Sequence, residues 1–243
     1  MQIFVRDTYA ELSALAASHM KEILSGNAAP LVCVASGDSP AGLYKAMVEL
    51  KNSGKLDTGH WNFLGLDEWL GMNGNDDGSC RYHLNQQFFG PMQIEPDKIL
   101  FFDGRASDLQ QECNRTEAGI EQNGGIDITV LGLGMNGHIG MNEPGTSIHS
   151  RTHIAELEAG TVAVGQKYFK TATELSGGLT LGIATIMESQ HIFLIVSGTK
   201  KAAIVKRILE EPVSEALPAT ILRNHKGARI YLDKEAAALL DKA

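Results

Sequence analysis

The sequence predicts an α/β fold, with a mostly parallel sheet covered by helices on both faces, in a single domain over residues 1–243. Length and composition support this prediction, because a chain of 243 residues that is 43% hydrophobic can bury one substantial core. Short apolar runs rich in β-branched residues alternate with segments of helical period. That alternation is typical of parallel sheets, and no linker or repeat interrupts it.

The apolar runs and the helical-period segments predict the following elements in chain order. The strands are LVCVAS at 31–36, NFLGLD at 62–67, DITVLGLG at 127–134, HIFLIVS at 191–197 and ARIYLD at 228–233. The helices cover residues 8–25, 40–53, 106–123 and 199–211. Ligands of open α/β sheets bind at the carboxyl ends of the strands, so the loops that follow the strands are the first places to search for a site.

Composition limits the kinds of partner and the cellular compartment that we expect for this protein. The net charge of −8 would repel a phosphate backbone, so we expect no nucleic-acid partner. No stretch approaches the roughly 20 apolar residues of a membrane helix, so we expect no membrane association. Three scattered cysteines without CxxC spacing predict neither a disulfide framework nor a zinc cluster, and they favour a cytoplasmic protein.

Polar or glycine-rich sequence follows three of the predicted strands. The segments are SGDSP at 36–40, DEW at 67–69 and GLGMNGH at 132–138, and we expect them to line one pocket. In the first, Ser39 is suited to cap the next helix and Pro40 to begin it. The turn could bind phosphate on free backbone N–H groups, or it could merely cap the helix. Asp38 would repel phosphate unless it points away or accepts a hydrogen bond from a sugar hydroxyl.

The second and third segments contain candidate acid and base groups. Asp67 and Glu68 should point to opposite sides of the strand, so only one of them should face the cleft. That carboxylate could be a general base or a structural cap. In the loop, Asn136, His138 and Glu143 combine an amide, an imidazole and a carboxylate within eight residues. The histidine could transfer protons, or it could be satisfied by a backbone carbonyl in a tight turn.

Other patterns in the chain are weaker. Gly132, Gly134 and Gly137 match GxGxxG, but more glycines and a proline follow where a dinucleotide site needs a helix, so we expect a loop and no cofactor. His149 and His153 are four residues apart without an HExxH motif, and we expect no metal site there. Lysines at 200–201 follow another strand and could reach an anion.

Taken together, LDEW at 66–69, LGLGMNGHIGMNEPG at 131–145, the SGDSP turn and LPATIL at 217–222 resemble the glucosamine-6-phosphate deaminase/isomerase family. Their order and spacing fit along nearly the whole chain, and NGHIGMNEPG is highly specific. The resemblance implies a modified Rossmann-like, doubly wound sheet and one amino-sugar-phosphate isomerase/deaminase domain. It also implies an amino-sugar phosphate as the small-molecule substrate and neither metal nor cofactor. We expect a monomer or small homo-oligomer.

The resemblance also implies roles for individual residues. His138 would move the proton that opens the sugar ring, supported by Asn136 and Glu143. Asp67 would take the proton from C2 and return one to C1, giving a ketose while ammonia leaves. The residues that would bind substrate and its phosphate are Ser36, Gly37, Asp38, Ser39, Lys167 and Lys201.

Three departures from the family pattern bear on charge and on substrate choice. Asn136 stands where some members have aspartate, Trp69 stands where glucosamine enzymes usually have tyrosine, and Asp38 replaces a small residue. LDEW, GSC at 78–80 and GGID at 124–127 look more like galactosamine-6-phosphate isomerases, so either C4 epimer remains a candidate substrate. The rival functions are a 6-phosphogluconolactonase-like hydrolase, against which the NEP tripeptide at 142–144 argues, and a non-catalytic sugar-phosphate sensor.

Overall fold

The computed structural model describes residues 1–240, which form two sheets and the helices packed around them. The strands are β1 Gln2–Arg6, β2 Leu31–Val34, β3 Asn62–Gly65, β4 Asp67–Trp69, β5 Ile99–Leu100, β6 Ile128–Leu131, β7 His153–Ala155, β8 Gly178–Thr180, β9 His191–Val196 and β10 Ala228–Asp233. The α-helices are α1 Tyr9–Leu24, α2 Asp38–Asn52, α3 Cys80–Leu84, α4 Leu109–Gln122, α5 Ala159–Gly165, α6 Ile183–Met187 and α7 Ala202–Glu210. The predicted domain end at residue 243 lies outside the described residues.

The main sheet has seven strands in the order β1-β10-β9-β6-β2-β3-β5, and every neighbouring pair is parallel. This confirms the predicted α/β class and its mostly parallel, doubly wound sheet. The chain goes from β2 to β3 on one side of β2, whereas β6 lies on the other side. The carboxyl ends of β2 and β6 therefore border a topological switch point, where open α/β sheets leave a crevice for ligands.

Burial accounts for the central strands and for the first helix. All residues of β2 and β6 are buried, as expected for strands with both faces covered. Thr8 and Glu11 form a reciprocal capping box that begins α1 at the predicted position. Four apolar residues spaced four apart on α1 face the core: Leu12, Ala16, Met20 and Leu24.

The predicted strand at 62–67 is wrong beyond Gly65. Gly65 lies against Phe101, whose ring would be 2.4 Å from a Cβ at that position. The backbone N–H of Leu66 still donates to Val34 (3.0 Å), but the chain then leaves the main sheet. The next residues form β4, the edge of a three-stranded antiparallel sheet in the order β4-β8-β7. The close approach at Gly65 leaves no signal in the hydrophobic pattern, so the end of the strand could not be predicted from it.

The prediction that Ser39 caps the second helix and Pro40 begins it is also wrong. The helix α2 begins at Asp38, with Gly37 in the capping position at φ +103°. This backbone conformation strains any residue with a Cβ, so glycine lets the chain turn into the helix earlier than expected. Pro40 is still tolerated because the N–H groups of the first turn need no partner within the helix.

Four short or exposed strands were not predicted. β1 is an edge strand whose residues are mostly exposed, and β5 has two residues. β7 and β8 have three residues each, too few to establish an alternating pattern. Within residues 1–240, no helix combines the length and the apolar character needed to cross a membrane.

Candidate active site

A cleft of about 570 Å³ lies at the carboxyl ends of the parallel strands, over the switch point. Segments 35–39, 66–69 and 132–141 form its base and walls, and residues of the segment 158–168, which includes α5, line the opposite side. The cleft brings together nine of the predicted site residues: Ser36, Gly37, Asp38, Ser39, Asp67, Asn136, His138, Lys167 and Lys201. Glu143 lies behind His138 and is only 7% exposed.

Asp67 faces the cleft, while its neighbour Glu68 points the other way into the protein. Glu68 is fully buried and accepts backbone hydrogen bonds from Trp69 (2.9 Å), Cys80 (2.9 Å) and Arg81 (3.1 Å). Burial raises the pKa of Asp67 to about 6, although a hydrogen bond from the Cys80 thiol and the nearby His138 oppose the rise. A carboxylate with this pKa is ionised at neutral pH and is a stronger base than an exposed aspartate.

His138 lies in a tight loop, as the glycines predicted. The N–H of Gly134 donates to the carbonyl of His138 (3.0 Å), and Gly137 has φ +87°. The Nδ1 of His138 is 3.4 Å from the Oε2 of Glu143 and 3.4 Å from the hydroxyl of Thr161. With Nδ1 occupied on this side, Nε2 is the nitrogen left for proton transfer in the cleft.

Glu143 is held ionised by its neighbours. Burial would raise its pKa, but hydrogen bonds with His138, Thr161 and Asn136 outweigh burial and lower the pKa to about 2. The amide of Asn136 donates to Oε2 of Glu143 at 2.7 Å and, from the same nitrogen, to Oε2 of Glu158 at 2.7 Å. A negative charge therefore lies beside the imidazole, where it orients the ring and favours the neutral tautomer that carries its proton on Nδ1.

Cationic side chains lie at the other end of the cleft, near the SGDSP turn. Lys167 is 2.6 Å from the carboxylate of Asp38, so the charge of Asp38 is offset and its expected repulsion of phosphate is weakened. The ammonium group of Lys201 donates to the carbonyl of Leu133, and burial together with the charge of Lys167 lowers its pKa. The positive end of α2, a helix of 15 residues, is directed toward the same turn. This end of the cleft can hold an anion.

Among the lining residues that were not predicted as site residues are Cys80, Glu158, Thr161 and Tyr168. Glu158 contacts Asn136 and Thr161 contacts His138, from a segment that begins 14 residues after the NEP tripeptide. Tyr168 lies over the SGDSP turn, since its hydroxyl would be 2.9 Å from a Cβ at Gly37. The segment 158–168 has no clear apolar periodicity and no motif, so nothing in its own sequence predicts that it lies over the cleft.

Comparison with known proteins supports the resemblance of the motifs. Residues 6–231 match the family model described as glucosamine-6-phosphate isomerases/6-phosphogluconolactonase. Glucosamine-6-phosphate deaminase of Clostridium perfringens (strain ATCC 13124) is 34% identical over 99% of this chain and 100% of its own length. Glucosamine-6-phosphate deaminase 1 of Bacillus subtilis (strain 168) is 35% identical over 98% of this chain and 99% of its own.

Solved structures agree with this result. A monomeric glucosamine-6-phosphate deaminase superposes with a TM-score of 0.95 at 35% identity, covering 98% of this chain and 100% of that one. The 6-phosphogluconolactonase of Trypanosoma brucei has a TM-score of 0.76 at 22% identity, covering 99% of this chain and 98% of its own, which shows a shared fold alone. The chain therefore belongs to the glucosamine-6-phosphate isomerase/6-phosphogluconolactonase family.

Proposed function

We propose that this chain is an amino-sugar-phosphate deaminase that converts a hexosamine 6-phosphate and water into the ketohexose 6-phosphate and ammonia. One observation carries the proposal: Asp67 faces the same cleft as His138, whose imidazole is paired with the buried carboxylate of Glu143. The relatives of about 35% identity named as glucosamine-6-phosphate deaminases support it.

His138 serves the first step, the opening of the pyranose ring. It takes the proton of the C1 hydroxyl and supplies one to the ring oxygen as the bond from C1 to that oxygen breaks. The imidazolium formed in between is stabilised by the ionised Glu143 at 3.4 Å. Asn136 holds Glu143 in place through its amide.

Asp67 serves the isomerisation of the open-chain aldose. Its carboxylate takes the proton from C2 while the aldehyde oxygen at C1 gains a proton, which gives an enolamine. The carboxylic acid then returns its proton to C1 as the amine nitrogen loses one. The resulting C2 imine adds water and releases ammonia, leaving a ketone at C2. A carboxylate that is desolvated but still ionised suits proton transfer at carbon, because its pKa is closer to neutrality than that of an exposed aspartate.

We infer that Lys167, Lys201 and the turn at 36–39 hold the phosphate. An anion there would pair with two cationic side chains and with the positive end of α2. The substrate would then extend from this end of the cleft toward Asp67 and His138. This arrangement corresponds to a sugar phosphate whose reacting carbons lie away from the phosphate.

We also infer that Asp38 and Trp69 influence which C4 epimer of the hexosamine 6-phosphate the site prefers. Both line the cleft, and both depart from the glucosamine enzymes. A carboxylate can accept hydrogen bonds from sugar hydroxyls, and an indole can pack against a sugar ring. The likeness of LDEW, GSC and GGID to galactosamine-6-phosphate isomerases favours appreciable activity on galactosamine 6-phosphate.

Measurement of ammonia release from both C4 epimers tests the proposal. We expect release from at least one epimer, with kcat/KM for the two epimers altered in ratio by Asp38→Gly or Trp69→Tyr. Hydrolysis of 6-phosphogluconolactone without ammonia release would indicate the lactonase instead, and binding without turnover would indicate a sensor. A strong preference for glucosamine 6-phosphate that neither substitution changes would contradict the inference on Asp38 and Trp69.

A further inference from the structure

The phenol of Tyr168 has no role in the steps above, yet it lies over the turn that is expected to hold the phosphate. Tyr168 ends the short helical turn Gln166–Tyr168 that follows α5, and it lines the same cleft as Lys167 and Lys201. Its hydroxyl would be only 2.9 Å from a Cβ at Gly37, so the hydroxyl can approach the backbone of the turn because glycine has no side chain. The hydroxyl therefore lies at the anion end of the cleft.

Two neighbours hold the ring of Tyr168 in this place. The ring of His83, on α3, meets it edge to face, with 5.1 Å between the ring centroids and 65° between the planes. The ammonium group of Lys167 lies 4.8 Å from the centroid of the Tyr168 ring and 2.6 Å from the carboxylate of Asp38. The phenol is therefore in contact with α3 and, through Lys167, with the turn that contains Asp38.

His83 acts on Tyr168 through its ring. The Nε2 of His83 is buried and has no hydrogen-bond partner among residues 1–240. Burial of an unpaired polar atom costs free energy, and a phenyl ring would fill the same space without that cost. A phenylalanine in place of His83 should therefore preserve the edge-to-face contact, whereas an alanine should remove it.

The phenol has the chemistry of a phosphate ligand. Burial raises the pKa of Tyr168, so its hydroxyl keeps its proton at neutral pH and can donate a hydrogen bond. A phosphate group has three strong acceptor oxygens, more than the two lysines at this end of the cleft can each pair with one bond. An uncharged donor over the turn would bind the anion without adding to the charge of the site.

We propose that Tyr168 is a further phosphate-binding residue, whose hydroxyl donates to the phosphate of the substrate, and that His83 is a positioning residue that holds the phenol over the turn. The inference rests on the proposed function, in which the turn at 36–39 and the two lysines hold the phosphate. Because the phosphate does not react, loss of this hydrogen bond should weaken binding and leave the chemical steps largely unchanged.

The test compares variants that separate the hydroxyl from the rings. Tyr168→Phe removes only the hydroxyl, His83→Phe keeps a ring against Tyr168, and His83→Ala removes that ring. Tyr82→Phe removes the hydroxyl of a half-buried tyrosine on α3 that does not line the cleft, and it is the matched control. Each protein is titrated with inorganic phosphate by calorimetry, and KM and kcat are measured with the hexosamine 6-phosphate.

In Tyr168→Phe we expect the dissociation constant of phosphate and the KM to rise together by about tenfold, with kcat within about twofold of the parent. His83→Ala should raise the same two constants by about fivefold, because the edge-to-face contact is lost. His83→Phe and Tyr82→Phe should retain the parent values.

Unchanged phosphate affinity in Tyr168→Phe overturns the binding role. The positioning role of His83 is overturned if His83→Ala binds phosphate as the parent does, if His83→Phe is as impaired as His83→Ala, or if His83→Ala weakens binding further when it is added to Tyr168→Phe. If Tyr168→Phe weakens phosphate binding but the parent releases no ammonia from either epimer, the binding role stands and the proposed function fails.

Discussion

The two carboxylates that serve the proposed reaction, Asp67 and Glu143, lie in one site but in contrasting surroundings. Asp67 faces the cleft, and burial raises its pKa to about 6. Glu143 lies behind the histidine with three side-chain partners, and their hydrogen bonds outweigh burial to lower its pKa to about 2. Surroundings that push two pKa values apart can assign different roles to identical groups. Asp67 is arranged to exchange a proton, whereas Glu143 is arranged to remain charged.

The largest effect should come from Asp67→Asn. The amide has the same shape but cannot accept the C2 proton, so kcat/KM should fall by about 10³-fold while substrate binding is kept. The measurement is deuterium entry at C2 in D₂O, together with the affinity for a non-reacting analogue. Deuterium entering C2 at the parent rate would show that another group is the base.

A smaller loss, about 10²-fold in kcat/KM, is expected for Glu143→Gln. The substitution keeps the hydrogen bonds partly intact but removes the charge that stabilises the His138 imidazolium. The defect should be larger with the cyclic substrate than with an acyclic analogue that cannot form the ring. Equal defects with both would mean that the histidine and its carboxylate act after ring opening.

Some residues of this site could be predicted from the sequence, whereas the contacts between distant segments could not, for a physical reason. Asn136, His138 and Glu143 lie within eight residues, and Asp67 ends an apolar run. Short segments of the sequence were therefore enough to predict these residues as candidates. The bond between Lys167 and Asp38 joins residues 129 positions apart and depends on how α5 crosses the cleft. Glu68 accepts the backbone N–H of Cys80 and so holds the beginning of α3 beside β4, which no spacing rule predicts.

The fold was predictable where burial imposes a long pattern. The central strands β2, β6 and β9 and the helix α1 have continuous apolar runs or one buried face, and each was found within a few residues. The small antiparallel sheet was not, since its strands have only three residues each. That sheet nevertheless carries Asp67, so the region that was not predicted is the one that positions the proposed base.

Stability should also distinguish Asp67. Its pKa is higher in the folded chain (about 6) than the ordinary 3.8, so folding takes up a proton between those values and the free energy of unfolding falls as pH rises through that window. Because the side chain is partly exposed, Asp67→Asn should stabilise the protein at pH 7 by about 1–2 kcal/mol. Urea denaturation from pH 3.5 to 7 measures it. The exposed Asp97→Asn is the control, and parallel curves for the parent and Asp67→Asn would contradict a raised pKa.

The smallest effect should come from Glu158→Gln, which sharpens the contrast between buried and exposed carboxylates. Glu158 and Glu143 each accept from the same Asn136 nitrogen at 2.7 Å, but Glu158 is exposed at the beginning of α5. Water screens such a contact, which is worth about 0.5–1 kcal/mol, so kcat/KM should fall about threefold. The parent should approach the variant in high salt, because exposed charges are screened there. A loss as large as that of Glu143→Gln would mean that α5 closes over Glu158 during the reaction. The difference in burial between the two glutamates in the free protein would then not predict their contributions to kcat/KM.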